Sequence, residues 1–148
     1  MNKEDNFKEK FKQALISTIK VISEDYRPNN DKNNTSSKNI NFFEIDNLTS
    51  KQDFIRFRAE ADSEALKKKF SNKEIYQNNL PNNSSYRSLY DYSEKIRYEL
   101  LGSKMLKGIS KNINENYNQK LNLKRKDQLK NKDDVNVTEA FELYMLKN

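Results

Sequence analysis

The side chains that could do chemistry in this chain are carboxylates, lysines and hydroxyls, because its 148 residues include no His and no Cys. Metal sites built from imidazole or thiolate, thiol nucleophiles and His-based triads are therefore excluded. The sequence contains only two Gly, Gly102 and Gly108. Phosphate-binding loops of the GxGxxG or Walker type need several glycines, so nucleotide binding through such loops is excluded as well.

The carboxylates of the most regular helical stretch are spaced for ion pairs rather than for acid–base catalysis. Glu94 and Glu99 are five residues apart and do not share a helix face. Glu94 with Arg97 at i, i+3 and Asp91 with Lys95 at i, i+4 fit surface ion pairs, each contributing roughly a few tenths of a kcal/mol. We therefore expect no catalytic residue and no metal ligand in this chain.

Residues 119–134 form a polar and strongly basic segment, which we interpret as a linker or a solvated helix. Its cations are Lys120, Lys124, Arg125, Lys126, Lys130 and Lys132. Such a segment could neutralise nucleic-acid phosphates, which would make the chain a basic helical nucleic-acid-binding protein. No RRM, KH or helix-turn-helix pattern supports that alternative, so we expect a basic linker and no nucleic-acid partner.

The periodicity of apolar residues predicts an all-α protein, with about four helices in a small irregular bundle. The helices are expected over 6–25, from Thr49 or Ser50 to about Phe70, from Ser84 or Ser85 to about Tyr117, and from about Thr138 onward. The third is the long central helix. Gly102 and Gly108 inside it indicate close packing of another helix, and the alternative is a break that gives two helices.

The remaining segments are expected to connect these helices. Residues 26–50 read as a loop, with a short extended segment at 40–45, and residues 71–85 as a connection with one helical turn near 74–76. No apolar run approaches 18 residues, and the N-terminus lacks an apolar signal region. We therefore expect one helical domain over 1–148, cytoplasmic and without a membrane partner.

Two stretches resemble the N-terminal region of the CobT family, a subunit of the aerobic ATP-dependent cobaltochelatase. They are residues 58–68, with Arg, then Asp-Ser, then Ala-Leu and two Lys, and residues 88–113, with Tyr-Asp, Glu, Arg, Glu and two Gly in register. The matching residues are Arg58, Asp62, Ser63, Tyr90, Asp91, Glu94, Arg97, Glu99, Gly102 and Gly108. The family often has histidines where this sequence has Ser71 and Tyr76. The matching residues are expected to form structural or interface contacts.

The resemblance implies a non-catalytic subunit, or part of one, that assists cobalt insertion into hydrogenobyrinic acid a,c-diamide. Its partners would be an AAA+ ATPase subunit and the large chelatase subunit that holds the corrin ring. Cobalt and ATP would be used by the complex, with no cofactor bound by this chain. Family members continue into an acidic linker and a von Willebrand factor A-type domain, so we expect a fragment or a truncated member. A helical adaptor without chelatase partners is the remaining alternative.

Overall fold

The computed structural model of the chain describes residues 3–23, 48–125 and 136–147. Every regular element in those ranges is an α-helix, which confirms the predicted fold class. The helices are α1 (Lys3–Ile22), α2 (Lys51–Phe70), α3 (Lys73–Asn78), α4 (Ser84–Met105), α5 (Lys107–Arg125) and α6 (Val137–Lys147). The described residues thus form six helices rather than about four, because 73–78 is a helix and the expected long helix is divided. The expected extended segment at 40–45 and most of the 26–50 loop lie outside the described residues.

The chain has two compact units, Met1–Lys69 and Phe70–Asn148. The expectation of one domain over 1–148 stays a prediction. In the first unit, α1 and α2 share a core with one residue from the segment that precedes α2. The buried members of this core are Leu15, Ile19, Leu48, Phe57, Ala61 and Ala65. Phe11 and Phe54 pack against this core. Their two rings contact each other edge to face, with centroids 5.0 Å apart.

Helix α2 begins where the sequence predicts, at a Ser50 cap. The Ser50 Oγ accepts a hydrogen bond from the backbone N–H of Asp53 at 3.2 Å, and the Asp53 carboxylate accepts from the Ser50 N–H at 3.1 Å. This reciprocal pair satisfies two backbone donors that the first helical turn leaves without partners. The Ser50 hydroxyl also donates to the Asp53 carboxylate at 2.8 Å, and this bond, followed by that from the Ser50 N–H, lowers the pKa of the Asp53 carboxyl. A negative charge therefore stays at the positive end of the helix dipole.

In the second unit, α4 packs against both α5 and α6. Asn83 caps α4, because its side-chain oxygen accepts from the backbone N–H of Ser85 at 2.9 Å. The buried residues of α4 and α5 are mostly apolar, and the two polar ones are Glu99 and Asn116. The full set is Ile96, Tyr98, Glu99 and Gly102 of α4, and Ile109, Ile113, Asn116 and Tyr117 of α5.

The expected long helix is divided at Leu106, the residue after α4, whose backbone is extended with φ −133° and ψ 112°. The Leu106 N–H still donates to the carbonyl of Gly102 at 3.0 Å, and α5 starts at the next residue. Gly102 is buried, whereas Gly108 is exposed. Within the described part of the chain, no atom lies within 4 Å of a Cβ placed on Gly108. Close helix packing at Gly108 is therefore a wrong expectation, because this glycine lies on the open side of the first turn of α5.

The basic segment predicted over 119–134 is helical in its first part, since α5 continues to Arg125. Residues 126–134 lie outside the described residues. None of the helices in the described ranges combines the length and the apolar character needed to cross a membrane.

Candidate functional site

Six polar or aromatic side chains join the start of the second unit to one face of α4. They are Ser71, Tyr76, Tyr90, Asp91, Glu94 and Arg97, and we call them the α3–α4 cluster. Four of the six belong to the resemblance motif predicted from the sequence. Spacing explains the arrangement on α4, because residues 90, 94 and 97 follow one another at i+4 and i+3 and share a helix face.

Glu94 and Arg97 form the centre of the α3–α4 cluster. Arg97 donates two parallel hydrogen bonds to the Glu94 carboxylate, from Nε to Oε2 at 2.7 Å and from Nη2 to Oε1 at 2.8 Å. The same Nη2 donates to the carbonyl of Phe70 at 2.7 Å, and the Ser71 hydroxyl donates to Glu94 Oε1 at 2.7 Å. Phe70 is the last residue of α2, so Arg97 satisfies a carbonyl that the helix end leaves open. The pair predicted from the sequence is confirmed, and it fixes the backbone at 70–71 against α4.

Asp91 and Tyr90 attach α3 to the same face. The Tyr76 hydroxyl donates a hydrogen bond to the Asp91 carboxylate, and the Tyr76 and Tyr90 rings lie 5.3 Å apart between centroids. The hydrogen bond to Asp91 raises the pKa of Tyr76 to about 12. The Tyr76 phenol therefore remains a hydrogen-bond donor at neutral pH.

The Asp91–Lys95 ion pair expected from the sequence does not form in the described structure. Asp91 accepts from Tyr76, while the Lys95 ammonium lies 4.0 Å from carboxylate oxygens of both Glu99 and Glu142. Helix spacing alone allows Lys95 to approach Asp91 or Glu99, since each is four residues away. The contact with Glu142 of α6 comes from tertiary packing, and it favours the approach of Lys95 to Glu99.

The electrostatics of the α3–α4 cluster keep its central carboxylate ionised. The hydrogen bonds from Arg97, assisted by that from Ser71, hold the pKa of the Glu94 carboxyl below its ordinary value, and hydrogen bonding to Glu94 raises the pKa of Arg97. A carboxylate so held is a poor proton donor or acceptor near neutral pH. The geometry is suited to positioning a chain segment rather than to acid–base chemistry.

A pH-dependent stability contribution follows from the lowered pKa of Glu94. Because the carboxyl has a lower pKa in the folded chain than its ordinary 4.5, its contribution is present above that pH and is lost as the pH falls through the folded-state pKa. We expect Glu94→Gln to be less stable than the parent at neutral pH, with a difference that narrows as the pH falls below 4.5. The neutral-pH difference should stay below about 1 kcal/mol, because the Arg97 side chain is 46% exposed and solvent screens the pair.

Urea unfolding followed by circular dichroism at several pH values measures this difference. Glu74→Gln serves as the control, since Glu74 is an exposed carboxylate of the same unit. A stability gap between parent and Glu94→Gln that stays constant down to acidic pH would contradict the assignment.

A second group of polar residues joins three helices of the second unit, and we call it the buried polar network: Lys95 and Glu99 of α4, Tyr117 of α5 and Glu142 of α6. The Tyr117 hydroxyl donates to Glu99 Oε2 at 2.7 Å. The Lys95 ammonium lies 4.0 Å from Glu99 Oε1 and 4.0 Å from Glu142 Oε1, and 5.6 Å from the centre of the Tyr117 ring. The Lys95 ammonium, on a side chain that is 30% exposed, therefore lies close to two carboxylates and to an aromatic face that Lys120 also approaches, at 5.7 Å.

Burial determines the protonation state of the Tyr117 hydroxyl in this network. Desolvation, reinforced by the neighbouring Glu99 carboxylate, raises the pKa of Tyr117 far above its ordinary value. Tyr117 therefore stays protonated and can always donate to Glu99. Removing one partner of such a buried pair leaves the other without its hydrogen bond, so the network ties α5 and α6 to α4.

The remaining motif residues are distributed over both units. Arg58 is exposed on α2, Ser63 is half-buried, and Asp62 is buried on the same helix. Gly102 lies on the buried side of α4, and Gly108 on the exposed side of α5. In the second unit the motif supplies four members of the α3–α4 cluster, one member of the buried polar network and two glycines.

The sequence interpretation missed the partners of the motif residues. In the sequence, Ser71 and Tyr76 stand out only as positions where the family often has histidines, and Tyr117 only as the end of the expected long helix. A usable signal existed for Tyr117, because a buried Tyr hydroxyl nearly always has a hydrogen-bond partner. Nothing in local spacing indicated Glu142, which lies on another helix.

The described residues contain no group of three or more His, Cys, Asp or Glu side chains that could hold a metal ion. Both polar groups of the second unit instead consist of paired charges and satisfied hydroxyls that join helices. Their arrangement can support the shape of a helical domain that presents surfaces to other proteins.

Comparison with known proteins assigns the chain to a family. A family model described as cobalamin biosynthesis protein CobT matches residues 5–146, which is nearly the whole sequence and includes both stretches of the motif. No solved structure matches the chain. The chain belongs to the CobT family of cobalamin biosynthesis proteins.

Proposed function

We propose that this chain is a non-catalytic subunit, or part of one, of an ATP-dependent cobaltochelatase. In this proposal it associates with an AAA+ ATPase subunit and with the large subunit that holds the corrin ring. Cobalt is inserted into hydrogenobyrinic acid a,c-diamide as a substrate of the complex, and ATP hydrolysis and metallation belong to the partners. The complex acts in the cytoplasm, where ATP is available.

The observation that carries the proposal is the family match over residues 5–146, which extends through both compact units. The roles of the motif residues support it. Glu94 is held by Arg97 and Ser71, and Glu99 accepts from Tyr117. These side chains are used to hold the helices together, which is what an assembly subunit requires of its polar residues.

The division of labour also has a physical basis. A subunit that transmits an ATP-driven change must keep its own shape while force or contact passes through it. The buried polar network connects α4, α5 and α6, and the α3–α4 cluster connects the segment at 70–76 to α4. In this proposal the second unit is a rigid body that partners hold and move.

Association with the ATPase tests the proposal. The full chain is mixed with the AAA+ ATPase subunit of the same chelatase in the presence of ATP, ADP or no nucleotide, and passed over a size-exclusion column. We expect a stoichiometric complex that forms with ATP. No association in ATP, with the chain folded by circular dichroism, would overturn the proposal.

Activity of the reconstituted complex is the second measurement. The ATPase and large subunits are assayed for ATP-dependent cobalt insertion by the change in absorbance of hydrogenobyrinic acid a,c-diamide, with and without this chain. We expect insertion to depend on adding the chain. Equal rates in its absence would show that the chain is not a subunit of this enzyme.

A further inference from the structure

The tip of the α4–α5 hairpin carries an apolar surface that the chain itself leaves exposed. Leu100, Leu101, Met105 and Leu106 are 38–57% exposed. Single exposed apolar side chains are ordinary on a protein surface, but here four lie within seven consecutive residues, and Leu101 and Met105, four residues apart, share one face of α4. Together with Lys104, Lys107, Gly108 and Lys111, we call this surface the α4–α5 corner.

The position of the corner follows from the helix break. The buried residues of α4 and α5 face each other, and the hydrogen bond between Glu99 and Tyr117 fixes α5 back against α4. Leu106, with its extended backbone, lies at the point of reversal. Gly102, between Leu101 and Met105, is buried, so Leu100, Leu101 and Met105 are exposed because they lie on sides of α4 that the other described helices do not cover.

The charge around the patch has one sign. Between Glu99 and Glu115 the sequence contains Lys104, Lys107 and Lys111 and no acidic residue. All three lysines are exposed. Lys104 follows Leu100 at i+4 and Leu101 at i+3, so it lies beside them on the helix, while Lys107 and Lys111 share one face of α5.

Gly108 leaves the backbone of α5 accessible at the corner. It is exposed, and no atom of the described residues lies within 4 Å of a Cβ built on it. A glycine in a helix costs stability relative to Ala, by about 1 kcal/mol in the interior. No close contact within the described structure requires a glycine at position 108. The absence of a side chain lets an external backbone approach α5 closely.

We propose that the α4–α5 corner binds an acidic amphipathic helix of a partner protein. The apolar face of that helix packs on Leu100, Leu101, Met105 and Leu106. Its flanking carboxylates pair with the three lysines, and its backbone passes over Gly108. Amphipathic helices are bound through three or four apolar anchors, which is the number the patch can accept. This inference does not depend on the proposed function.

Charge complementarity favours this occupant over a second copy of the chain. A two-fold interface brings the same patch of both copies together, so the three lysines of one copy would face those of the other. Like charges brought together in an interface are costly. An acidic partner instead gains steering and pairing from the same residues.

The test uses the full chain and a fluorescent synthetic helix of about 18 residues, with Leu at i, i+3, i+4 and i+7 and Glu beside them. A second peptide has the same Leu positions and Lys in place of Glu. Fluorescence anisotropy is expected to show binding of the acidic peptide only. Leu101→Gln should weaken binding by about tenfold or more, and a Lys104→Glu, Lys111→Glu double variant should do the same.

Gly108→Leu separates binding from folding. Its side chain enters open space, so thermal stability should not fall, while the blocked surface should weaken peptide binding by about tenfold. Val137→Gln is the matched surface control, because Val137 is exposed on α6 and lies outside the corner. Its affinity for the acidic peptide should equal that of the parent.

Four outcomes would overturn the proposal. Folded protein that does not bind the acidic peptide is the first, and equal binding of both peptides is the second. The third is sedimentation with anionic phospholipid vesicles that is lost in Leu101→Gln while the peptide does not bind, which would assign the corner to a membrane surface. The fourth is dimerisation in analytical ultracentrifugation that Leu101→Gln abolishes, which would assign it to a second copy.

Discussion

Gly102→Leu is expected to lower the free energy of unfolding by about 1–3 kcal/mol. Gly102 lies on the buried side of α4, the helix that packs against both α5 and α6. A leucine there must displace neighbouring side chains or the backbone, and overpacking of this kind forces strained rotamers. Its carbonyl also accepts from the Leu106 N–H, so a shift of α4 disturbs the bond that ends the helix.

The matched control is Gly108→Leu, the same substitution six residues later. Because no described atom lies within 4 Å of a Cβ at Gly108, the change should be neutral, or stabilising by up to about 1 kcal/mol from helix propensity. Thermal and urea unfolding by circular dichroism measure both variants. Equal stability of Gly102→Leu and the parent would refute the claim that α4 is closely packed at Gly102.

Phe57→Ala is expected to lower the free energy of unfolding by about 3–5 kcal/mol. Phe57 is 1% exposed and belongs to the core of the first unit. Its neighbours in that core include Ala61 and Ala65, which are too small to fill the space left by the ring. The cost therefore combines the lost transfer free energy of the ring with that of a residual cavity. The guanidinium of Arg56 also loses its contact 4.8 Å above the ring.

Phe7→Ala is the control, since it removes the same ring from the same unit. Phe7 is 57% exposed and touches Phe54 edge to face, with centroids 5.6 Å apart. We expect it to cost roughly 0.5–1.5 kcal/mol, the range for an aromatic pair with little additional burial. Urea unfolding monitored at 222 nm compares the two. Similar losses from both variants would contradict the assignment of Phe57 to the core.

Local sequence signals were sufficient for most helices. The i, i+3, i+4 apolar spacing in α1 and the Ser50 cap of α2 depend on residues within one or two turns, so they can be read from the chain directly. The bidentate Glu94–Arg97 pair belongs to the same class, since both residues lie on one helix. The division of the long helix at Leu106 was harder to predict from the sequence. Leucine is not a helix breaker, and the flanking glycines were compatible both with close helix packing and with a break.

The candidate site shows where local signals stop. Spacing placed Tyr90, Asp91, Glu94 and Arg97 on α4, and the resemblance motif selected them. Neither the spacing nor the motif shows that Asp91 accepts from Tyr76, or that Arg97 donates to the carbonyl of Phe70, which is 27 residues earlier in the chain. Such contacts depend on where the segment at 70–76 returns to α4.

Residue types and their order are enough to establish that the chain is helical, that it lacks imidazole and thiol chemistry, and that it carries the motif of the CobT family. These follow from residue types and from periodicities within a few turns. Which charges meet depends instead on how the helices pack. In one continuous helix Glu99 and Tyr117 would share a face but lie about 27 Å apart. The reversal at Leu106 brings the Tyr117 hydroxyl to 2.7 Å from Glu99, because the apolar faces of α4 and α5 gain more from burying each other than from continuing as one helix.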